Sequence, residues 1–125
     1  MKAIQVFNIA MSLIGYNDIN GEISGESELK KNAIPKMQMI YQELYRAEGH
    51  TDELPVLLSL NDEIQLSNDT VRDIMPYGVA MLISQSEGDA DNQSLMSVLY
   101  NQKKCCLTRI ELSGNGRNNI FGGEY

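Results

Sequence analysis

The side chains that could do catalytic chemistry are few in this sequence, and they are not grouped. His50 is the only histidine, and it lies in a polar stretch beside Gly49 and Asp52, where a solvated loop residue is expected rather than a general base. A phosphate-binding glycine loop has to precede a helix, whereas Gly114 and Gly116 lie in the C-terminal stretch. The sequence therefore predicts a protein that is not an enzyme and has no cofactor site.

Acidic and sulfur side chains could bind a metal ion, but their spacing fits no known site. A calcium loop that starts at Asp89 would place Ser94 where glycine is needed and Tyr100 where a bidentate glutamate is needed. The only two cysteines, Cys105 and Cys106, are adjacent, and helical geometry would point their side chains apart. We therefore predict no metal site. We interpret the acids around residue 89 as helix caps and the thiols as reduced and partly buried.

Length and composition limit the class of protein further. A chain of 125 residues with 42% hydrophobic and 22% charged residues fits one folded domain with one core. No apolar run approaches the roughly 18 residues that a membrane span needs, and the N-terminus lacks the pattern of a signal peptide. We expect an intracellular protein without membrane contact.

The charge of the chain is negative and unevenly distributed. The net charge is −7, and residues 48–91 contain ten acids and a single base, Arg72. Binding to a nucleic-acid backbone needs a basic face, so this acidity argues against a protein that holds DNA or RNA tightly. It leaves open a wall along which DNA slides without sticking.

The central element of the sequence is a helical pattern between Ser67 and Glu87. Its apolar residues recur at helical spacing, and they are Val71, Ile74, Met75, Gly78, Val79, Leu82 and Ile83. Tyr77, Ala80 and Met81 lie outside that stripe, so the helix is expected to be covered on more than one side, within the domain or by another subunit. Pro76 predicts a bend near residues 72–76.

Three further helices are predicted around it. One covers residues 2–14 and ends at Gly15, and a second runs from about residue 28 to 48, with Pro35 inside it and Gly49 after it. The last begins after a cap at Asp89 or Asp91. Its expected core residues are Leu95, Met96 and Leu99.

The remaining segments are predicted to be non-helical. Residues 54–66 contain two short apolar runs, for which extended pieces, a small hairpin and a packed loop are all open. Residues 107–112 alternate like a short strand. Residues 113–125 are rich in glycine and asparagine but carry Ile120, Phe121 and Tyr125, which a plain linker would not need. We therefore predict that this tail docks on a partner or a neighbouring subunit.

The predicted fold is mainly α: a small four-helix bundle with a short extended or hairpin segment near residues 54–66 and an extended C-terminal arm. The helical domain would cover residues 1–112 and the arm residues 113–125.

The order of several short motifs resembles that of a known family. The motifs are Leu13-Ile14-Gly15-Tyr16, LSLNDEI at residues 58–64, MPYGVA at 75–80, SEGD at 86–89 and YNQK at 100–103. Together they resemble the head–tail adaptor proteins of tailed bacteriophages, also called head-completion or connector proteins, over about residues 2–106. The tail matches no motif of that family.

The resemblance implies a structural protein of the virion neck, assembled in the cytoplasm of the host bacterium. Such a subunit forms a homo-oligomeric ring of twelve copies under the portal protein, extends the DNA channel and presents a surface to the stopper or tail-completion protein. DNA would pass through without specific binding. A second class, a small helical binding or regulatory module that acts as a monomer or dimer, stays open.

Two sets of site residues follow from this interpretation. The residues expected to contact the portal or a neighbouring subunit are Arg109, Ile110, Leu112, Arg117, Ile120, Phe121 and Tyr125. The acids that could face the channel are Asp62, Glu63, Asp69 and Asp73.

Overall fold

The computed structural model describes the backbone of residues 1–16 and 26–116 and the side chains of residues 1–16 and 28–107. Within them the chain forms helices α1 (Ala3–Leu13), α2 (Glu26–Ala47), α3 (Asn68–Asp73), α4 (Met75–Ser86) and α5 (Ala90–Gly116). Four longer helices and the short α3 confirm the predicted mainly helical fold. Across the described ranges, no helix combines the length and apolarity that crossing a bilayer requires.

The segment between α2 and α3 is non-helical, as predicted, and forms no hairpin. Its one bridge pairs Glu63 with Lys2, at the start of α1. Backbone carbonyls of this segment accept hydrogen bonds from the first amides of α1, from Ala3 to Asp62 at 2.9 Å and from Ile4 to Leu60 at 2.8 Å. The loop thus satisfies donors that a helix N-terminus leaves unpaired.

The predicted central helix is divided at Ile74 into α3 and α4. Pro76 lies in the first turn of α4, where its missing amide removes no helical hydrogen bond. The side chain of Ser67 accepts a hydrogen bond from the amide of Thr70 and caps α3. The helix is therefore interrupted within residues 72–76, where the sequence predicts a bend, and the interruption takes the form of a new helix start.

Glycine and aspartate define the other helix ends as the sequence predicted. Gly15 and Gly49 have φ angles of +73° and +93° and end α1 and α2, a conformation that side chains disfavour. Asp89 accepts a hydrogen bond from the amide of Asn92 at 3.2 Å and caps α5. The side-chain amide of Asn92 donates a hydrogen bond of 3.0 Å to the backbone carbonyl of Ile14, so the start of α5 also contacts the end of α1.

The strand predicted at residues 107–112 is wrong, because α5 continues as a helix through Gly116. Extending an existing helix adds one hydrogen bond for each residue fixed, and this outweighs a short alternating pattern. Residues 113–116, which the sequence assigned to the arm, therefore form the last turn of α5. Residues 117–125 lie outside the described residues.

The core lies between α4 and its neighbours, since α4 packs against each of the other four described helices. This confirms α4 as the central helix. The largest fully buried side chains of the core include Phe7, Met11, Met37, Tyr41, Leu44, Val71, Met75, Val79, Ile83 and Tyr100. On α5, Met96 and Tyr100 are buried, whereas Leu95 is more than half exposed. The prediction of Leu95 as a core residue was wrong, and so was that of partly buried thiols, because Cys105 and Cys106 are both exposed.

Candidate interaction surfaces

A polar junction joins the end of α2 to the start of α3. The side chain of Glu48 is 8% exposed, and its Oε2 accepts a hydrogen bond of 3.0 Å from the backbone amide of Ser67. Nε2 of His50 lies 3.5 Å from the other carboxylate oxygen. Although burial raises the pKa of Glu48, hydrogen bonds from Thr70 and Ser67 outweigh it and hold this pKa below its ordinary value. The junction ties the start of α3 to the end of α2.

This junction predicts a dependence of stability on pH. Because the pKa of Glu48 is lower in the folded state, its carboxylate stabilises the fold above the unfolded-state pKa of about 4.3, and this contribution is lost as pH falls through the folded value. Glu48→Gln should reduce the free energy of unfolding at pH 7, and the difference from the unmodified protein should shrink below about pH 5. Urea unfolding between pH 3 and 7 measures this difference in the free energy of unfolding.

Glu53→Gln, in the exposed part of the same loop, is the matched control for the loss of one negative charge. A constant difference between Glu48→Gln and the unmodified protein over this whole pH range would show that the carboxylate does not contribute in the way described.

His50, the only histidine of the sequence, takes part in the contacts that fix the loop after α2. The rings of His50 and Tyr45 stack with centroids 4.2 Å apart, and the hydroxyl of Tyr45 donates to the carboxylate of Asp52 at 3.0 Å. Arg46 donates to the backbone carbonyls of His50 and Asp52 at 3.0 and 2.7 Å. These contacts hold the loop after α2 in place. In the part of the chain with described side chains, no three acidic, histidine or cysteine side chains are grouped to hold a metal ion.

The four acids proposed to face a channel occupy two different environments. Oδ2 of Asp62 accepts hydrogen bonds from the amides of Leu58 and Ser59 at 2.8 and 3.0 Å, so it shapes its own loop. Glu63 pairs with the N-terminal amine of Met1 at 3.0 Å, although its side chain remains 67% exposed. Their role towards DNA stays a prediction, and both carboxylates already have partners within the chain.

Asp69 and Asp73, in contrast, are exposed and lie one turn apart on α3. They form the rim of a groove of about 490 Å³ between α3 and α5, here named the α3–α5 groove. Its lining includes Asp69, Asp73, Ile74, Lys103, Cys106 and Leu107. Ile74 and Leu107 are half-buried and give the groove an apolar floor. It combines an apolar floor with two carboxylates and one ammonium group.

Among the described side chains, five large apolar ones are exposed, and they lie on three elements. Val56 and Leu58 lie in the loop after α2 and are 69% and 78% exposed, Leu95 and Val98 lie on α5 at 53% and 55%, and Met39 lies on α2 at 61%. Leu57 between the first two is buried, because Gln38 on α2 accepts from its amide at 2.6 Å and donates to the carbonyl of Pro55. Such side chains, when grouped, mark surfaces that another protein covers.

The sequence pattern predicted none of these side chains to be exposed, and it placed Leu95 in the core. The alternation at residues 56–58 was a usable signal, since an extended segment on a helical core exposes every second side chain.

The residues predicted to bind the portal or a neighbour lie at the end of the chain. Helix α5 includes Arg109, Ile110 and Leu112, of which the structure describes only the backbone. Arg117, Ile120, Phe121 and Tyr125 lie outside the described residues altogether. Their role in binding stays a prediction.

Comparisons with known proteins leave the family open. No family model, no curated protein and no solved structure matches this chain. Function therefore has to be inferred from the surfaces described above and from the resemblance of the motifs.

Proposed function

We propose that this protein is a head–tail adaptor of a tailed bacteriophage, a structural subunit of the virion neck. Its copies form a ring, for which the family resemblance implies twelve subunits. The ring docks on the portal protein, extends the DNA channel and presents a surface to the stopper or tail-completion protein.

The observation that carries this proposal is the exposure of apolar side chains on separate elements of a small bundle. A subunit in a ring uses two different surfaces, one for each neighbour. Val56 and Leu58 in the loop, and Leu95 and Val98 on α5, supply two apolar patches on different elements. Their pairing across copies would bury side chains that a lone bundle leaves in water.

The charge of the protein supports the proposed contact with moving DNA. With a net charge of −7, a ring of many copies would surround the duplex with negative charge. Repulsion between that wall and the phosphates disfavours binding and keeps the duplex mobile. The polar clusters around Glu48 and Asp89 act in helix capping and loop closure, which fits a structural role.

Co-assembly with a phage portal ring tests the proposal. Purified full-length protein is mixed with the portal, and native mass spectrometry with negative-stain imaging measures how many copies bind. We expect a ring of adaptor density on one face of the portal. Serine substitution of both Val56 and Leu58 should reduce the number of bound copies while leaving the helical circular dichroism unchanged.

Gln102→Ser, at an exposed polar position of α5, is the matched control and should leave assembly intact. A protein that remains a monomer or dimer and gives no density on portal rings would instead favour the second class, a small helical binding module.

A further inference from the structure

The α3–α5 groove combines features that define what could occupy it. Ile74 and Leu107 form an apolar floor, and Asp69 and Asp73 place two carboxylates on one rim. Among the described residues that line it, Lys103 carries the positive charge, and its Nζ lies 4.7 Å from the centre of the Tyr77 ring. The carboxylates thus exceed the cation, and a suitable occupant is a short segment that carries a positive charge beside apolar side chains.

The chain itself contains such a segment after the end of α5. Residues 117–121 read Arg-Asn-Asn-Ile-Phe, with one base followed by two large apolar residues and no acid. Arg117 complements Asp69 and Asp73, and Ile120 with Phe121 suits the apolar floor. We propose that residues 117–121 of one copy dock in the α3–α5 groove of a second copy.

Chain length decides between a neighbour's segment and the protein's own. Leu107 lines the groove, and α5 continues for nine residues beyond it to Gly116, which is about 14 Å at the rise of an α-helix. For residues 117–121 to reach the groove of their own copy, the chain would have to reverse direction after α5. A four-residue turn over residues 116–119 would leave two residues, which span about 7 Å when extended. Ile120 and Phe121 of the same copy therefore fall short of the groove, whereas those of a second copy have no such limit.

This contact joins two different surfaces, a tail on one copy and a groove on the next. Such a head-to-tail arrangement repeats from copy to copy and closes into a ring when the rotation allows it. It holds for any oligomer of this chain and does not depend on the portal. It also gives Asp69 and Asp73 a role at a subunit contact, in place of the channel wall.

A disulfide cross-link tests the proposal, because Cys106 lines the groove and is exposed. Full-length protein with Phe121→Cys and Cys105→Ala is prepared in two isotopic forms, mixed and oxidised with oxidised glutathione. We expect disulfide-linked dimers and larger species on a non-reducing gel. Mass spectrometry should find position 121 of one isotopic form joined to Cys106 of the other.

The matched control exchanges the two cysteines, since Cys105 is exposed on the same helix but does not line the α3–α5 groove. Phe121→Cys with Cys106→Ala should form cross-links at least tenfold more slowly. Equal rates for the two cysteines, or a disulfide within one copy, would overturn the proposal.

Charge exchange provides a second readout in the cross-linking protein. Arg117→Asp or Asp73→Arg alone should slow the cross-link severalfold, and the two together should restore it. Asp73 is exposed at the end of α3, where an arginine suits the helix dipole, so the fold tolerates the change. A pair that fails to restore the rate would contradict the proposed contact. Neither result depends on portal binding, so this proposal and the proposed function can fail separately.

Discussion

Replacing Gly78 with alanine should destabilise the protein by about 1–3 kcal/mol, the range measured when extra carbon is forced into a packed core. A Cβ at this position would lie 2.8 Å from Cε1 of Tyr100 and 2.9 Å from Cγ2 of Ile40. Both neighbours are buried, so neither can move aside into solvent. On an exposed helix surface the same substitution would stabilise by about 1 kcal/mol, so the sign of the change reports the close approach of α4 to α2 and α5.

Urea unfolding monitored by circular dichroism measures this change. Gln85→Ala, at an exposed position of the same helix, should alter the free energy of unfolding by no more than about 0.5 kcal/mol. A Gly78→Ala protein as stable as the unmodified one would mean that α2 and α5 leave room for a Cβ at this position of α4.

Replacing Tyr100 with alanine should cost about 3–5 kcal/mol, as for other large aromatic side chains deleted from a core. Tyr100 is 1% exposed, and its hydroxyl donates a hydrogen bond to Glu43 on α2. Nζ of Lys104 lies 5.1 Å from the ring centre and 3.2 Å from the same glutamate. This one side chain therefore links α5 to α2 across α4, and its loss leaves a cavity at the crossing of three helices.

Tyr100→Phe is the matched control, because it keeps the ring and removes only the hydrogen bond. It should cost about 1 kcal/mol, since Glu43 is half-exposed and water can replace the hydroxyl. Burial and the neighbouring Glu43 raise the pKa of Tyr100, so the folded state keeps its proton where the unfolded state loses it. The folded protein therefore loses stability as pH rises above about 10, where the unfolded state releases the Tyr100 proton. The Tyr100→Phe protein has no hydroxyl to ionise at this position, so its free energy of unfolding should fall less in that range.

The two substitutions should be coupled, because the Cβ at position 78 meets the ring of Tyr100. In a Tyr100→Ala background, Gly78→Ala should cost much less than it does alone, and the double-mutant cycle gives the difference directly. Additive effects would place the strain on Ile40 instead, which is the other contact of that Cβ.

Helical periodicity predicted most of the fold because it depends only on neighbours along the chain. The four long helices and the glycines at 15 and 49 appear where local physical chemistry predicted them, and of the two predicted caps, Asp89 and Asp91, the structure shows Asp89. The break in the central helix also lies within residues 72–76, where Pro76 predicted a bend.

The errors arose where two local patterns were equally compatible with the sequence. Leu95 and Met96 are neighbours on α5, and periodicity does not decide which of two adjacent faces turns towards α4. The structure buries Met96 with Tyr100, one turn further on, and exposes Leu95. At residues 107–112 a short alternation suggested a strand, but the helix before it was already formed and extended at low cost.

The candidate surfaces depend on tertiary structure more than the fold does. Sequence by itself determined the acidity of the chain and the apolar residues of its tail, because these are properties of composition and spacing. Only the folded chain brings Asp69 and Asp73 on α3 next to Leu107 on α5, and engages Asp62 and Glu63 in contacts of their own. A groove between helices distant in sequence is set by how they pack, and packing depends on contacts that no local pattern encodes.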